Sequence, residues 1–283
     1  MDGFDYKSDP KRLLLYHHTT AQTAVERILS SRTLRLGPLK NTNDLKESRT
    51  WLFGFGTSSD FHGFTDDLEK QLQSEAAMWL QGTTKLLCMS KDDELQREEG
   101  EAIYGCGFCL PRMWAQYGDL HRGVCLIFDR LLLTEKITQQ LDNRGLLKAN
   151  DVEYRDEPIW NVLRDRTFIL SADIARERGT VEAVSSHLAE KWREMYFRKS
   201  CDWRDEREFR WIFNDGDSKE QFIRFEESLV GVVLGADYDG DSWGREYDYR
   251  INFGVDAASL HWRNGVPGIM PPVEGPWVGF IHD

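Results

Sequence analysis

The chain has 283 residues, with 36 Lys and Arg against 48 Asp and Glu, for a formal net charge of −12. A 40% hydrophobic share with ten Trp and fifteen Phe is enough for a core and argues against disorder. No apolar run reaches the roughly 18 residues of a membrane span. Met1 to Pro10 is polar and acidic, unlike a secretory leader, and the acidic balance argues against a broad basic face for duplex DNA. A cytoplasmic globular protein with no membrane contact is the expectation.

In chain order, Arg12–His18 reads as a buried strand and Thr19 or Thr20 as the cap of a helix reaching about Ser30. A short strand follows over Thr33–Leu36. Asn41–Asp44 is a loop that caps a helix carrying Glu47, Trp51 and Leu52. Leu68, Leu72, Ala76 and Trp79, spaced by three or four, predict an amphipathic helix over Thr65–Gln81. Thr84–Ser90 is a strand, Lys91–Gly100 a charged surface excursion, and Pro111–Tyr117 a short helix opening on proline. Strand Arg122–Phe128, helix Thr134–Leu141 and short strand Val152–Tyr154 come next. Ile159–Lys199 reads as mostly helical, broken near Gly179.

From Glu206 to Phe213 the chain alternates, with Arg207, Phe209, Trp211 and Phe213 on one face and Glu206, Glu208, Arg210 and Ile212 on the other. Gln221–Phe225, Val230–Leu234 and Tyr247–Phe253 complete the expected strands. Strands and helices without regular alternation point to an α+β fold. No linker and no repeat divides the chain. The expected organisation is a tail over 1–11, a domain over 12–235, and an acidic extension over 236–283 packed on that domain. Residues 200–283 hold 17 acids and 8 bases.

Several chemistries lack their motif. There is no P-loop, no HExxH and no GxSxG. Gly54-Phe55-Gly56 falls in an expected helix–loop region and is no dinucleotide fingerprint. Cys106 and Cys109, with His121 and Cys125 downstream, have a spacing that suits zinc, and that also suits ordinary buried thiols.

Four clusters remain: Leu15 to Thr20 with adjacent His17 and His18, Asn43 to Glu47, Met113 to Tyr117 with Arg122 to Phe128, and Lys199 with Trp203 to Arg210. The last is the most informative. On a solvent-facing strand, Glu206, Glu208 and Arg210 would form weak surface ion pairs. In a cleft, the two carboxylates would perturb each other and Arg210 would hold one ionised. A fixed carboxylate beside a histidine suits a transition state that gains positive charge, as in glycosidic cleavage, including that of a nucleotide. Strand alternation sends one of His17 and His18 inward.

These clusters, in this order, resemble a large, mainly bacterial, domain-of-unknown-function family, number 2971. The matching segments are Leu15–Thr20, Asn43–Glu47, Leu87–Ser90, Met113–Tyr117, Gly123–Phe128 and Trp203–Arg210. That family is similar to the ADP-ribosyltransferase superfamily. The resemblance implies a split, mostly antiparallel sheet around an NAD cleft, with NAD as co-substrate. It implies catalytic Glu208, an auxiliary Glu206 that takes the acceptor's proton, and His17 gripping the dinucleotide. It further implies cofactor contacts from His18, Thr19, Ser90, Trp114, Tyr117 and Arg210, with Tyr117 or Trp114 as the stacking face. The expected activity is transfer of ADP-ribose to a macromolecule, whether protein, RNA or single-stranded DNA, in a bacterial toxin or anti-phage effector with an antitoxin or regulatory partner. NAD hydrolysis and a non-catalytic binding module are the alternatives. His18 stands where the family carries tyrosine, Leu45 where it carries proline, and the stretch from Ser90 to Met113 is longer.

Overall fold

The computed structural model describes residues 13–49, 51–56, 64–93, 102–156 and 166–270. The expected tail over 1–11, the charged stretch beyond Asp93 and the start of the helical region at Ile159 lie outside them. In chain order the strands are β1 (Leu14–Thr19), β2 (Thr33–Pro38), β3 (Gly54–Gly56), β4 (Thr84–Lys91), β5 (Val124–Asp129), β6 (Leu146–Asp151), β7 (Glu153–Tyr154), β8 (Ile169–Ser171), β9 (Arg198–Lys199), β10 (Glu208–Asn214), β11 (Gln221–Arg224), β12 (Leu229–Leu234), β13 (Ala257–Arg263) and β14 (Val266–Met270). The fold is α+β, with a mostly antiparallel mixed sheet surrounded by helices. Among the described residues no helix is long and apolar enough to cross a membrane.

Strand β4 organises the sheet. Along one edge it pairs with β10 from Thr84 to Ser90, and β10 pairs onward with β6. A strand has only two edges, so β1 and β2 share the other. β2 takes its start, at Lys85 and Leu86, and β1 takes its end, at Ser90 and Lys91. Leu87, Cys88 and Met89 lie between, with no strand partner on that edge among the described residues. The sheet therefore forks at β4. One branch continues from β2 to β11, the other from β1 through β5, β12 and β13 to β14. The β12–β13 pairing is parallel.

One face of the sheet carries a continuous apolar layer that includes Leu15, Leu87, Met89, Leu126, Phe128, Phe209, Trp211 and Phe213. The π-helical segment Thr23–Leu29 and the helix Arg130–Leu141 cover it through Ala24, Ile28, Leu133, Ile137 and Leu141. The opposite face holds two separate clusters. The first joins Leu86 and Ile212 to the helices Asp66–Thr83 and Thr180–Tyr196. The second joins Tyr16, Phe108, Trp114, Cys125 and Ile127. The cleft lies between them.

The structure departs from the sequence reading at defined places. Tyr247–Phe253 is not a strand but part of a helix, Glu246–Phe253, entered through a reciprocal bond pair between Arg245 and Asp248. Tyr249 and Phe253, four apart, face the core together, and that helical spacing overrides the apparent alternation. The early helix covers only Leu45–Ser48, and Trp51 packs beyond it. Gly54–Gly56 is a strand paired in parallel with β8. Residues 257–270 add β13 and β14 to the main sheet. Gly179, at φ 92°, separates the helices Ala172–Arg178 and Thr180–Tyr196, as expected.

Gly123 sits where β5 begins against the end of β1. A Cβ there would overlap the Thr19 carbonyl oxygen and the backbone of Gly118, neither of which can swing aside. Gly123→Ala should destabilise by about 1–3 kcal/mol, the usual range for overpacking, measured as the shift of a urea unfolding midpoint.

Candidate active site

The fork produces a concavity. In antiparallel pairs, opposed residues point to the same side, so Tyr16 on β1, Ser90 on β4 and Glu208 on β10 form one row. Cys88 and Arg210 form the next row. The cavity beneath them is about 360 Å³ and is closed by Arg35, Gly37 and Pro38 of β2, by Asn41–Asn43, and by Met113 and Tyr117. That size falls within the usual range of small-molecule clefts.

The floor is a buried ionic cluster. Arg210, fully buried, donates from Nε to Glu208 Oε1 at 2.6 Å, from Nη1 to Glu47 Oε1 at 2.5 Å, and from Nη2 to Glu47 Oε2 at 3.2 Å. Its Nη1 also donates to the Tyr196 carbonyl at 2.6 Å. Lys199 Nζ lies 2.8 Å from Glu206 Oε2 and 2.7 Å from Glu208 Oε2. Tyr117 donates its hydroxyl to Glu206 Oε1 at 2.9 Å and receives Asn43 Nδ2 at 3.2 Å. Three carboxylates thus face two cations.

Burial alone would raise the pKa of Glu208, but Arg210 and Lys199 outweigh it and hold Glu208 down to about 2. Glu47 moves the other way, raised by burial beyond what Arg210 offsets. Burial by itself would lower Lys199, yet Glu208, Glu47 and Glu206 keep it above its usual range. Burial followed by the Glu208 charge pushes the Cys88 thiol well up, so it stays protonated.

The two histidines take different roles. His18 shares the Glu208 side of the sheet, is buried, meets Trp114 edge-on at 4.9 Å, and has no hydrogen-bond partner for either ring nitrogen among the described residues. Burial, then the neighbouring His17, lowers its pKa to about 3, so it is neutral. His17 opposes Leu126 and therefore points toward the other face, half-buried, with a hydrogen bond to the Cys88 backbone across the fork. Both histidines line the cavity, His18 from the side of the sheet that carries Glu208.

The remaining candidates divide. Ser90 Oγ is buried in the cleft with no partner among the described residues. Tyr117 forms the rim. Trp114 is wholly buried, with its indole N–H donated to the Phe108 carbonyl at 2.6 Å, so it offers no stacking face. Thr19 lies beyond the cavity lining. Arg210 is committed to Glu47 and Glu208 and holds carboxylates, not a ligand phosphate. Glu206 belongs to a 3₁₀ segment, Cys201–Glu206, not to the strand. Glu47 and Lys199 complete the cluster. Each stands in a motif segment of the sequence, but their contacts span 163 and seven positions, beyond any local pattern. Cys106, Cys109 and Cys125 pack with apolar residues, and no group of three or more metal-capable side chains gathers among the described residues.

Residues 113–211 match a family described as a protein of unknown function, DUF2971. The match takes in Tyr117, Lys199, Glu206, Glu208 and Arg210, while β1, Glu47 and Ser90 lie outside it. No curated protein and no solved structure matches the chain.

Two outcomes are expected. Arg210→Met leaves Glu47 and Glu208 buried without their shared partner and should cost about 3–5 kcal/mol in a denaturant titration. For His18, the folded pKa lies below the unfolded value, so its contribution is complete above about pH 6.5 and is lost as pH falls toward 3. His17 and His187 are lowered too and act in the same direction. Calorimetry between pH 7 and pH 5 should show falling stability, with a shallower slope in His18→Phe, the limit being about 1.4 kcal/mol per pH unit for each imidazole.

Proposed function

We propose that the protein is an NAD-dependent ADP-ribosyltransferase acting on a macromolecule. One observation carries this reading: a buried carboxylate, Glu208, held ionised at a fork in the sheet, opposite Ser90 and in one cavity with a neutral His18, both of these without a side-chain hydrogen-bond partner among the described residues. In the transfer, the bond between ribose C1′ and the nicotinamide nitrogen breaks. Its electron pair neutralises the pyridinium, and the acceptor's nucleophile adds to C1′ as its proton leaves. The leaving group is already cationic, so no strong general acid is needed. A fixed negative charge near the ribose stabilises the oxocarbenium character of the transition state. Ser90 and His18 supply hydrogen bonds to the ribose or the carboxamide, and Tyr117 supplies the aromatic rim. The forked, mostly antiparallel sheet supports an ADP-ribosyltransferase-like fold. A role as a toxin or anti-phage effector rests on the family resemblance.

A second reading has its own observation. Both oxygens of Glu208 already meet a cation, Arg210 on one side and Lys199 on the other. On that ground the cluster is structural and the cleft a binding module.

Purified protein with NAD at neutral pH decides between them. Nicotinamide release that needs cell lysate, and that falls about 10²–10³-fold or more in a folded Glu208→Gln variant, is the expected result. Release without lysate identifies water as the acceptor. No release under either condition leaves the binding module.

A further inference from the structure

Two residues apart on a regular strand, the carboxylates of Glu206 and Glu208 would stand about 7 Å apart. The chain does not run regularly there. Arg207, at φ 47°, lies in the left-handed region that non-glycine residues rarely adopt. Its carbonyl accepts from Lys91 N at 2.9 Å, and its guanidinium meets Asp93 at 3.2 Å, which together hold the kink. The kink turns Glu206 inward until it is buried and one ammonium, that of Lys199, reaches both carboxylates.

We propose that Lys199 is a positioning residue that keeps Glu206 and Glu208 together and ionised, and that Glu206 anchors the Tyr117–Asn43 rim instead of serving as the acceptor's base. The catalytic part of this proposal rests on the transferase reading of the cleft. Arg210 is spent on Glu47 and on the far oxygen of Glu208, so Lys199 is the only cation paired with Glu206 among the described residues. The other groups facing the pair are neutral or anionic: the Cys88 thiol, Glu47, the Tyr117 phenol, and the Tyr154 hydroxyl, which accepts from Glu208 N. The Lys199 ammonium also stands 5.3 Å from the centre of the Trp203 ring. Two carboxylates this close, without a cation between them, share one proton. Glu206 carries a donor on each oxygen, Lys199 on one and Tyr117 on the other. Burial and the Glu206 charge push the Tyr117 phenol far above its usual range, so it remains a donor. A carboxylate engaged on both oxygens in this way holds its neighbours in place.

A cycle of Lys199→Met, Glu206→Gln and the double variant tests this. Two readouts are used: the pH profile of nicotinamide release, and the infrared band of a protonated glutamate, which needs no turnover. In Lys199→Met the acid limb should move up until its midpoint stands about 2 units above pH 7, so that release at pH 7 falls about 100-fold and a protonated carboxyl appears at pH 7. The double variant should regain about tenfold or more, because the remaining carboxylate no longer shares a proton. If Glu206 were the acceptor's base, adding Glu206→Gln would deepen the loss, and that result overturns the proposal. So does a Lys199→Met protein with no protonated carboxyl at pH 7. Should Lys199→Met fail to fold, recovery of folding in the double variant supports the proposal and continued failure counts against it. If the wild type releases no nicotinamide, the transferase reading falls, while the infrared arm still decides what Lys199 does.

Discussion

The guanidinium of Arg210 is the interaction on which the rest of the site depends. It is fully buried, and it joins Glu47 of a one-turn helix to Glu208 of a central strand and to the carbonyl that ends the long helix at Tyr196. An isolated charge at such a depth would be prohibitive, and even a matched pair repays its desolvation only when the geometry is close and the hydrogen bonds are complete. Hydrophobic residues of similar volume would hold these three elements together at least as well. They would not leave a carboxylate ionised at the fork. The surrounding apolar packing is consistent with that constraint: one face of the sheet is a single layer, and the other is divided so that the charges occupy the gap.

The residue pattern made parts of this legible and hid others for identifiable reasons. Phe209, Trp211 and Phe213 alternate with Glu208, Arg210 and Ile212 because β10 is covered on both faces by different materials, and that contrast is written in the sequence. The alternation already set Glu206 on the Glu208 side, but its place on a 3₁₀ turn was not legible, since it depends on one backbone angle at Arg207. Adjacent histidines on a strand necessarily split between faces, but which one shares the Glu208 side is decided by register, in which Tyr16 opposes Ser90. Glu47 is brought in from 163 residues away. The helix Glu246–Phe253 shows the opposite difficulty: aromatic residues at every second position imitate a strand, and only the packing of Tyr249 with Phe253 reveals the period.

The two halves of the cleft differ in stiffness. The floor is tied by charge to three elements and cannot move without leaving buried ions unpaired. The rim consists of Asn43, Tyr117 and Arg35, which are exposed or half-buried and joined by single contacts such as the 3.2 Å bond from Asn43 to Tyr117. On the transferase reading, reacting groups belong on the floor, where geometry persists, and adaptation to an acceptor belongs on the rim.

The open edge of β4 has a consequence for how such a cleft changes over time. Between β1 and β2, Cys88 turns its main-chain groups to the open edge, and His17 already takes one of them. Peptide groups are the same whatever side chain they bear. A ligand read by that edge stays recognised as the sequence drifts, so long as the fork persists. Recognition through such an edge then follows the branching of the sheet more closely than the identity of any one lining residue, and descendants of this chain that share few side chains in the cleft would still present the same main-chain groups.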